Sequence, residues 1–134
     1  MSYPDGNPKT GAGTKKPPLG LIPSPALVEL AVAMALGAKK YGPYNWRKDG
    51  VSSSIYLDAA ERHLRAFLDG EDTDPESGAS HLGHVMACCA ILIDARACGT
   101  LNDNRPPPSP FADLVRAFAE RVQNGEIPAL QPKP

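Results

Sequence analysis

The chain has 134 residues, 14 basic and 15 acidic side chains, and a formal net charge of −1. That length suits one domain with a modest core, and the balanced charge excludes the basic footprint needed to wrap nucleic acid or dock on an anionic membrane. The longest apolar run, VMACCAILI, falls short of the ~20 residues that a bilayer span needs.

Residues 1–19 are rich in Gly, Pro, Lys and Thr and are expected to form a flexible tail. They contain no apolar core of the kind a secretory signal carries. A single helical domain is expected over 20–126, with a flexible tail over 127–134. The first helix is predicted to start with Ser24 as N-cap and Pro25 in the first turn. Its sequence, ALVELAVAMALGAKK, is apolar on most of its circumference, so it calls for cover on more than one side. In a chain this small, a second subunit is the expected cover. Gly42 and Pro43 end the helix.

The segment after it, KYGPYNWRKDG, combines aromatic, amide and cationic groups beyond what a helix stop requires. A ring for stacking, an amide for a base edge and cations for phosphates are what a nucleotide asks for. Lys40, Asn45, Trp46 and Arg47 are therefore substrate-binding candidates. A role for Trp46 in packing is the competing reading.

The second helix is expected to begin in SSS and to run from Ile55 to Asp69. Its charges, among them Asp58, Glu61, Arg62 and Arg65, share one face, and His63 falls on the opposite side. The loop GEDTDPES follows. The third helix is expected from about Ser77 to Ala97, capped by Asp74, Glu76 and Ser77, with His81 and His84 on its inner stripe. A stiff connector, NDNRPPPSP, leads to a fourth helix from Phe111 to about Asn124. No strand pattern appears, so the expected class is all-α, with the second and third helices forming a central antiparallel hairpin. Cys88, Cys89 and Cys98 offer no C-x-x-C and no favourable disulfide, which fits a reducing cytoplasm.

In such a hairpin His63 and His84 lie equally far from the middle of the loop and should face each other. Three imidazoles beside an acidic loop are expected to form a site. Glu71, Asp74 and Glu76 are the candidate ligands for Mg²⁺ or Mn²⁺, with the histidines supporting them and Glu61 in reserve.

Two stretches, KYGPYNWR and RHLRAFLDGEDTDPESGASHLGH, resemble the phage dATP/dGTP diphosphohydrolases, a branch of the MazG-like all-α nucleoside triphosphate pyrophosphohydrolases. The likeness runs from about Lys16 to Asp94 and extends to the MazZ-type members found in phages that replace adenine by 2-aminoadenine. It implies a four-helix MazG-like bundle assembled as a dimer or dimer of dimers. It further implies hydrolysis of purine deoxynucleoside triphosphates, dGTP and dATP, to monophosphate and pyrophosphate with two or more Mg²⁺ or Mn²⁺ ions. In such a phage the reaction would supply dGMP for 2-aminoadenine nucleotide synthesis and deplete dATP. The matched positions are Lys40, Tyr41, Asn45, Trp46, Arg47, Arg62, His63, Glu71, Asp74, Glu76, His81 and His84, with Lys16 a weaker match.

The pattern departs from the family in one respect. MazG-like enzymes carry E-x-x-E and E-x-x-D on successive helices, whereas here His81 and His84 take that spacing and the E-x-x-D, Glu71 to Asp74, lies in the loop. The expected roles are a metal-bound water activated by a carboxylate such as Glu76 or by His81, ligands oriented by His63 and His84, and charge neutralised by Lys40, Arg47 and Arg62. Two rival readings are an HD-type triphosphohydrolase, which needs an adjacent His-Asp pair that the sequence lacks, and a non-catalytic helical nucleotide-binding module.

Overall fold

The computed structural model describes residues 6–132; residues 1–5 and 133–134 of the expected tails lie outside it. The chain divides into one compact unit ending at Asn104 and a second beginning at Arg105. The described residues are mostly helical, in keeping with the all-α expectation, but six α-helices are present rather than four. Helix α1 (Pro8–Gly13) lies within the stretch expected to be a tail and is capped by Asn7, whose side chain accepts the Lys9 N–H. A short 3₁₀ turn follows at Leu19–Leu21.

Helix α2 spans Ser24–Tyr41, and its N-cap is the extended residue Pro23, not Ser24. The Pro23 side chain has no acceptor, so no side-chain cap forms there. Lys39 and Lys40 occupy the last turn, beside the negative end of the helix dipole. Tyr44, in the left-handed region at φ 54°, starts a further short helix that the sequence reading missed, α3 (Asn45–Asp49). Strand β1 (Val51–Ser52) then leads into helix α4 (Ser53–Leu68).

Helix α5 spans His81–Cys98 and begins later than expected. Its N-cap is Ser80, whose hydroxyl accepts the Gly83 N–H at 2.9 Å. Asp74, Glu76 and Ser77 lie outside the helix, because Gly78 sits at φ 78° and breaks the chain direction before it. Strand β2 (Leu101–Asn102) follows α5 and pairs in parallel with β1. This two-residue ladder is a strand pair that the sequence did not announce.

The ladder closes one end of the α4–α5 hairpin and the 69–80 loop closes the other, which makes the two helices antiparallel. Asn104 tightens the closed end. Its side-chain carbonyl accepts the Ser54 N–H at 2.9 Å, and its amide donates to Ser54 Oγ at 2.8 Å. A backbone donor in the first turn of α4 is thus satisfied by a residue 50 positions away.

Helix α2 packs against α5. The crossing is close at Gly83, where a Cβ would lie 2.8 Å from the Glu29 carbonyl oxygen. The same contact is fixed by Ser80 Oγ donating to Glu29 Oε2 at 3.1 Å. Buried apolar residues are few and mostly small: Ala33, Trp46, Ala79, Ala87 and Ala95. Large side chains on α2 remain exposed, Val28 to 62%, and so do Ile55, Leu64 and Leu68 on α4. Helix α5 is the one described helix long and apolar enough to cross a membrane by length and composition. Here it is the middle helix of the packed three, touching both α2 and α4.

In the second unit, helix α6 (Phe111–Gln123) is amphipathic, as the spacing predicts. Its Phe111, Leu114, Val115 and Phe118 are exposed.

Candidate functional site

The acidic loop is an ordered turn. Asp74 N–H donates to Ala79 O, Gly78 N–H to Asp74 O, and His81 N–H to Asp72 O, all within 2.9 Å. The Asp74 carboxylate turns inward, accepting the Glu76 N–H at 3.0 Å and the Ser77 hydroxyl at 3.3 Å. Burial pushes this carboxyl upward, but those two donors and the neighbouring His63 and His84 outweigh it and hold Asp74 below its ordinary value.

The three histidines meet, as the hairpin geometry predicts. The His63 and His84 rings stack with centroids 4.5 Å apart and planes 13° from parallel. His63 Nδ1 and His81 Nδ1 are 2.8 Å apart, and His81 Nε2 lies 2.6 Å from Glu71 Oε1. His84 Nε2 is 2.6 Å from Ser77 Oγ and 3.7 Å from Asp74 Oδ2.

With both rings neutral, this arrangement orders the protons. A carboxylate only accepts, so His81 Nε2 carries the hydrogen that Glu71 takes. In the neutral His81 ring, Nδ1 then holds a lone pair and accepts from His63 Nδ1–H. The unprotonated nitrogen of the chain is therefore His63 Nε2. Burial, joined by the adjacent His84 and His81, depresses the His63 imidazole below its usual value, so the ring is neutral near pH 7.

The aromatic turn is held from α5. Asp94 Oδ2 accepts Trp46 Nε1–H at 2.6 Å and Arg47 Nε–H at 2.7 Å, while Oδ1 accepts the Arg47 terminal amino group at 2.9 Å. Arg47 also lies over the Tyr44 ring at 4.3 Å. The guanidinium and Trp46 hold the Asp94 carboxyl far below the usual range, and Asp94 raises Arg47 in turn. The sequence reading missed Asp94. The available signal was a lone acid directly after the apolar run VMACCAILI.

A pocket of about 620 Å³ is lined by residues of both clusters. Lys40, Asn45, Trp46, Arg62, His63, Asp74, Glu76 and His84 all line it, together with Tyr56 and Cys88. Burial raises the Cys88 thiol, which keeps it protonated as part of the wall.

The other candidate residues lie elsewhere. His81 is 4% exposed and sits behind His63. Glu71 faces His81. Arg47 is committed to Asp94. Glu61 lines a separate open cavity with Asp58 and Arg65 on the outer side of α4. Lys16 is exposed in the turn after α1.

Among the described residues, no group of three or more His, Cys, Asp or Glu side chains is arranged to hold a metal ion. Two carboxylates, Asp74 and Glu76, do line the pocket. Mg²⁺ is commonly held by one or two carboxylates, with phosphate oxygens and water completing its shell. The donor set therefore fits an ion that arrives with a polyphosphate, and does not fit a ready-made protein cage.

A dATP/dGTP diphosphohydrolase of Salmonella phage PMBT28 is 38% identical over 119 residues, which cover 89% of this chain and 37% of that relative. The chain thus spans little more than a third of the relative's length. No solved structure matches with significance. The family described as dATP/dGTP diphosphohydrolase, N-terminal, matches residues 6–105, and the chain belongs to that family.

Proposed function

We propose that this chain hydrolyses purine deoxynucleoside triphosphates, dGTP and dATP, between the α and β phosphates, releasing monophosphate and pyrophosphate with Mg²⁺ or Mn²⁺. The observation that carries the reading is one pocket lined both by Trp46 and Asn45 and by the imidazoles and carboxylates His63, His84, Asp74 and Glu76. Asn45 and the pocket-facing edge of Trp46, whose ring is otherwise buried, take the purine. Lys40 and Arg62 neutralise the phosphates. Asp74 and Glu76 hold the ion, which supplies charge compensation for the departing pyrophosphate.

His63 is the general base, because its Nε2 is the unprotonated nitrogen and the ring lines the pocket. It takes a proton from the water that attacks the α phosphorus. His81 contacts no substrate in this scheme. It orients His63 and is itself oriented by Glu71. His84, anchored by Ser77, stacks on His63 and keeps it from rotating.

The same reading includes a homodimer or dimer of dimers within a MazG-like bundle, supported by the exposed apolar faces of α2 and α4. In a phage that carries 2-aminoadenine, the reaction would supply dGMP and deplete dATP.

The test is to incubate the protein with each deoxynucleoside triphosphate, with Mg²⁺, Mn²⁺ or a chelator, and to resolve the products by ion exchange. Monophosphate plus pyrophosphate is expected only with a divalent ion. Nucleoside plus tripolyphosphate would make the chain an HD-type enzyme. No consumption, with nucleotide still bound, would make it a binding module.

A further inference from the structure

We infer that Asp94 is a positioning residue that sets the base-binding wall of the pocket by holding Trp46 and Arg47 from α5; the inference rests on the nucleotide reading of the pocket. Trp46 lines the pocket, and its indole N–H points into Asp94. The residue before its neighbour Asn45 is Tyr44, a non-glycine residue in the left-handed region. Such a backbone is strained and persists only where surrounding contacts over-determine it. Asp94 supplies those contacts. It fixes Trp46 and Arg47, and Arg47 in turn covers the Tyr44 ring.

Asp94 shares its helix with His84, which lines the same pocket. One rigid helix therefore sets the distance between the wall for the base and the imidazoles. The consequence for Arg47 is that its guanidinium, bound in a fork by Asp94, acts as a strut and leaves phosphate contact to Lys40 and Arg62.

Asp94→Asn preserves shape but loses the charge and the forked acceptor, and Asp94→Glu keeps the carboxylate. Both are measured beside the parent for turnover of dGTP and for inhibition by tripolyphosphate, which has no base. Asp94→Asn is expected to raise KM for dGTP about tenfold with kcat within about twofold, the signature of lost uniform binding. Its inhibition by tripolyphosphate should be unchanged, and Asp94→Glu should recover part of the KM.

Trp46 is the chain's one tryptophan, so its fluorescence provides a readout that does not need turnover. In Asp94→Asn its emission should move to the red, its quenching by acrylamide should rise, and its response to added dGTP should weaken, with helical circular dichroism retained. Equal loss of dGTP and tripolyphosphate affinity, or Trp46 emission and dGTP response identical to the parent, would overturn the inference. If the parent turns over no nucleotide yet dGTP alters Trp46 emission, the proposed reaction fails and the fluorescence arm still decides the role of Asp94. If dGTP neither turns over nor alters Trp46 emission in the parent, the base-wall role falls with the nucleotide reading.

Discussion

His63 and His84 lie ring on ring, 4.5 Å between centroids, and two cations cannot share that contact. Burial, joined by that contact, favours neutral His63, whose imidazole stands below its ordinary 6.5. A depressed histidine takes up a proton on unfolding, so the unfolded state binds more protons across the window between the folded value and 6.5. Its contribution to stability is complete above pH 6.5 and is lost as pH falls through the folded value. Asp74, also depressed from 3.8, adds a loss only at much lower pH. Thermal melts between pH 7.5 and 5 should show Tm falling with pH, and His63→Gln should flatten that slope. A parent slope as flat as the variant's would refute the assignment.

Catalysis gives a second use of the same proton chain. If His63 Nε2 is the base, His63→Gln should lower kcat about 100-fold, at the low end of what general base catalysis contributes. Glu71→Gln should lower it less, because the amide can still accept from His81 Nε2–H but stabilises it weakly. The bell or plateau of the pH–rate profile should shift in Glu71→Gln and vanish on its basic-form limb in His63→Gln. Full activity in His63→Gln would return the role of base to a carboxylate.

The hairpin was legible in the sequence because its periodicity is strong. One charged face on α4 and a loop of turn residues place His63 opposite His84 whatever the exact helix ends. What stayed hidden was non-local. Asp94 is an ordinary lone acid until α3 is folded against it, and α3 itself has five residues, too few to show a period. The start of α5 was misplaced because Asp74, Glu76 and Ser77 have the composition of a cap, while the backbone at Gly78 turns the chain before the helix begins. Glu71 and His81 read as site residues. Only coordinates could show that they stand behind His63, since burial order along one direction leaves no mark in sequence spacing.

Gly83 carries a separate prediction. On propensity alone Gly83→Ala would gain up to about 1 kcal/mol in a helix interior. Here the new Cβ would meet the Glu29 carbonyl oxygen at 2.8 Å, a backbone atom that cannot swing away. Overpacking of this kind costs about 1–3 kcal/mol, so the net change should be destabilising. Denaturant titration of Gly83→Ala and the parent measures it, and a stabilised variant would show that α2 and α5 separate easily.

Glu76→Ala probes the ion. Glu76 is exposed at the pocket rim and its carboxylate supports no part of the loop's backbone turn, which Asp74 holds through the Glu76 N–H. Removing the side chain should leave helical circular dichroism unchanged while raising the Mg²⁺ or Mn²⁺ concentration needed for half-maximal turnover by about tenfold or more. Chelator should abolish turnover in parent and variant alike. Unchanged metal dependence in Glu76→Ala would leave Asp74 as the sole pocket carboxylate for the ion.

The exposed face of α2 argues for a partner copy. Leu27, Val28 and Val32 lie at i, i+1 and i+5 and are exposed to 48%, 62% and 47%. Leaving them in water forgoes the stabilisation that burial of each would give, about 1.5–3 kcal/mol for a full Val or Leu side chain. Within its own unit the chain buries few large side chains beyond Trp46, so a second copy is the economical cover. Sedimentation of the parent should give at least twice the 14.2 kDa of one chain. Val28→Asp would place a charge in the desolvated contact, where an unpaired ion is strongly unfavourable, and should shift the population towards the single chain at micromolar concentration. If the parent already sediments as one chain, or if Val28→Asp leaves a larger assembly intact, the partner does not sit on this face.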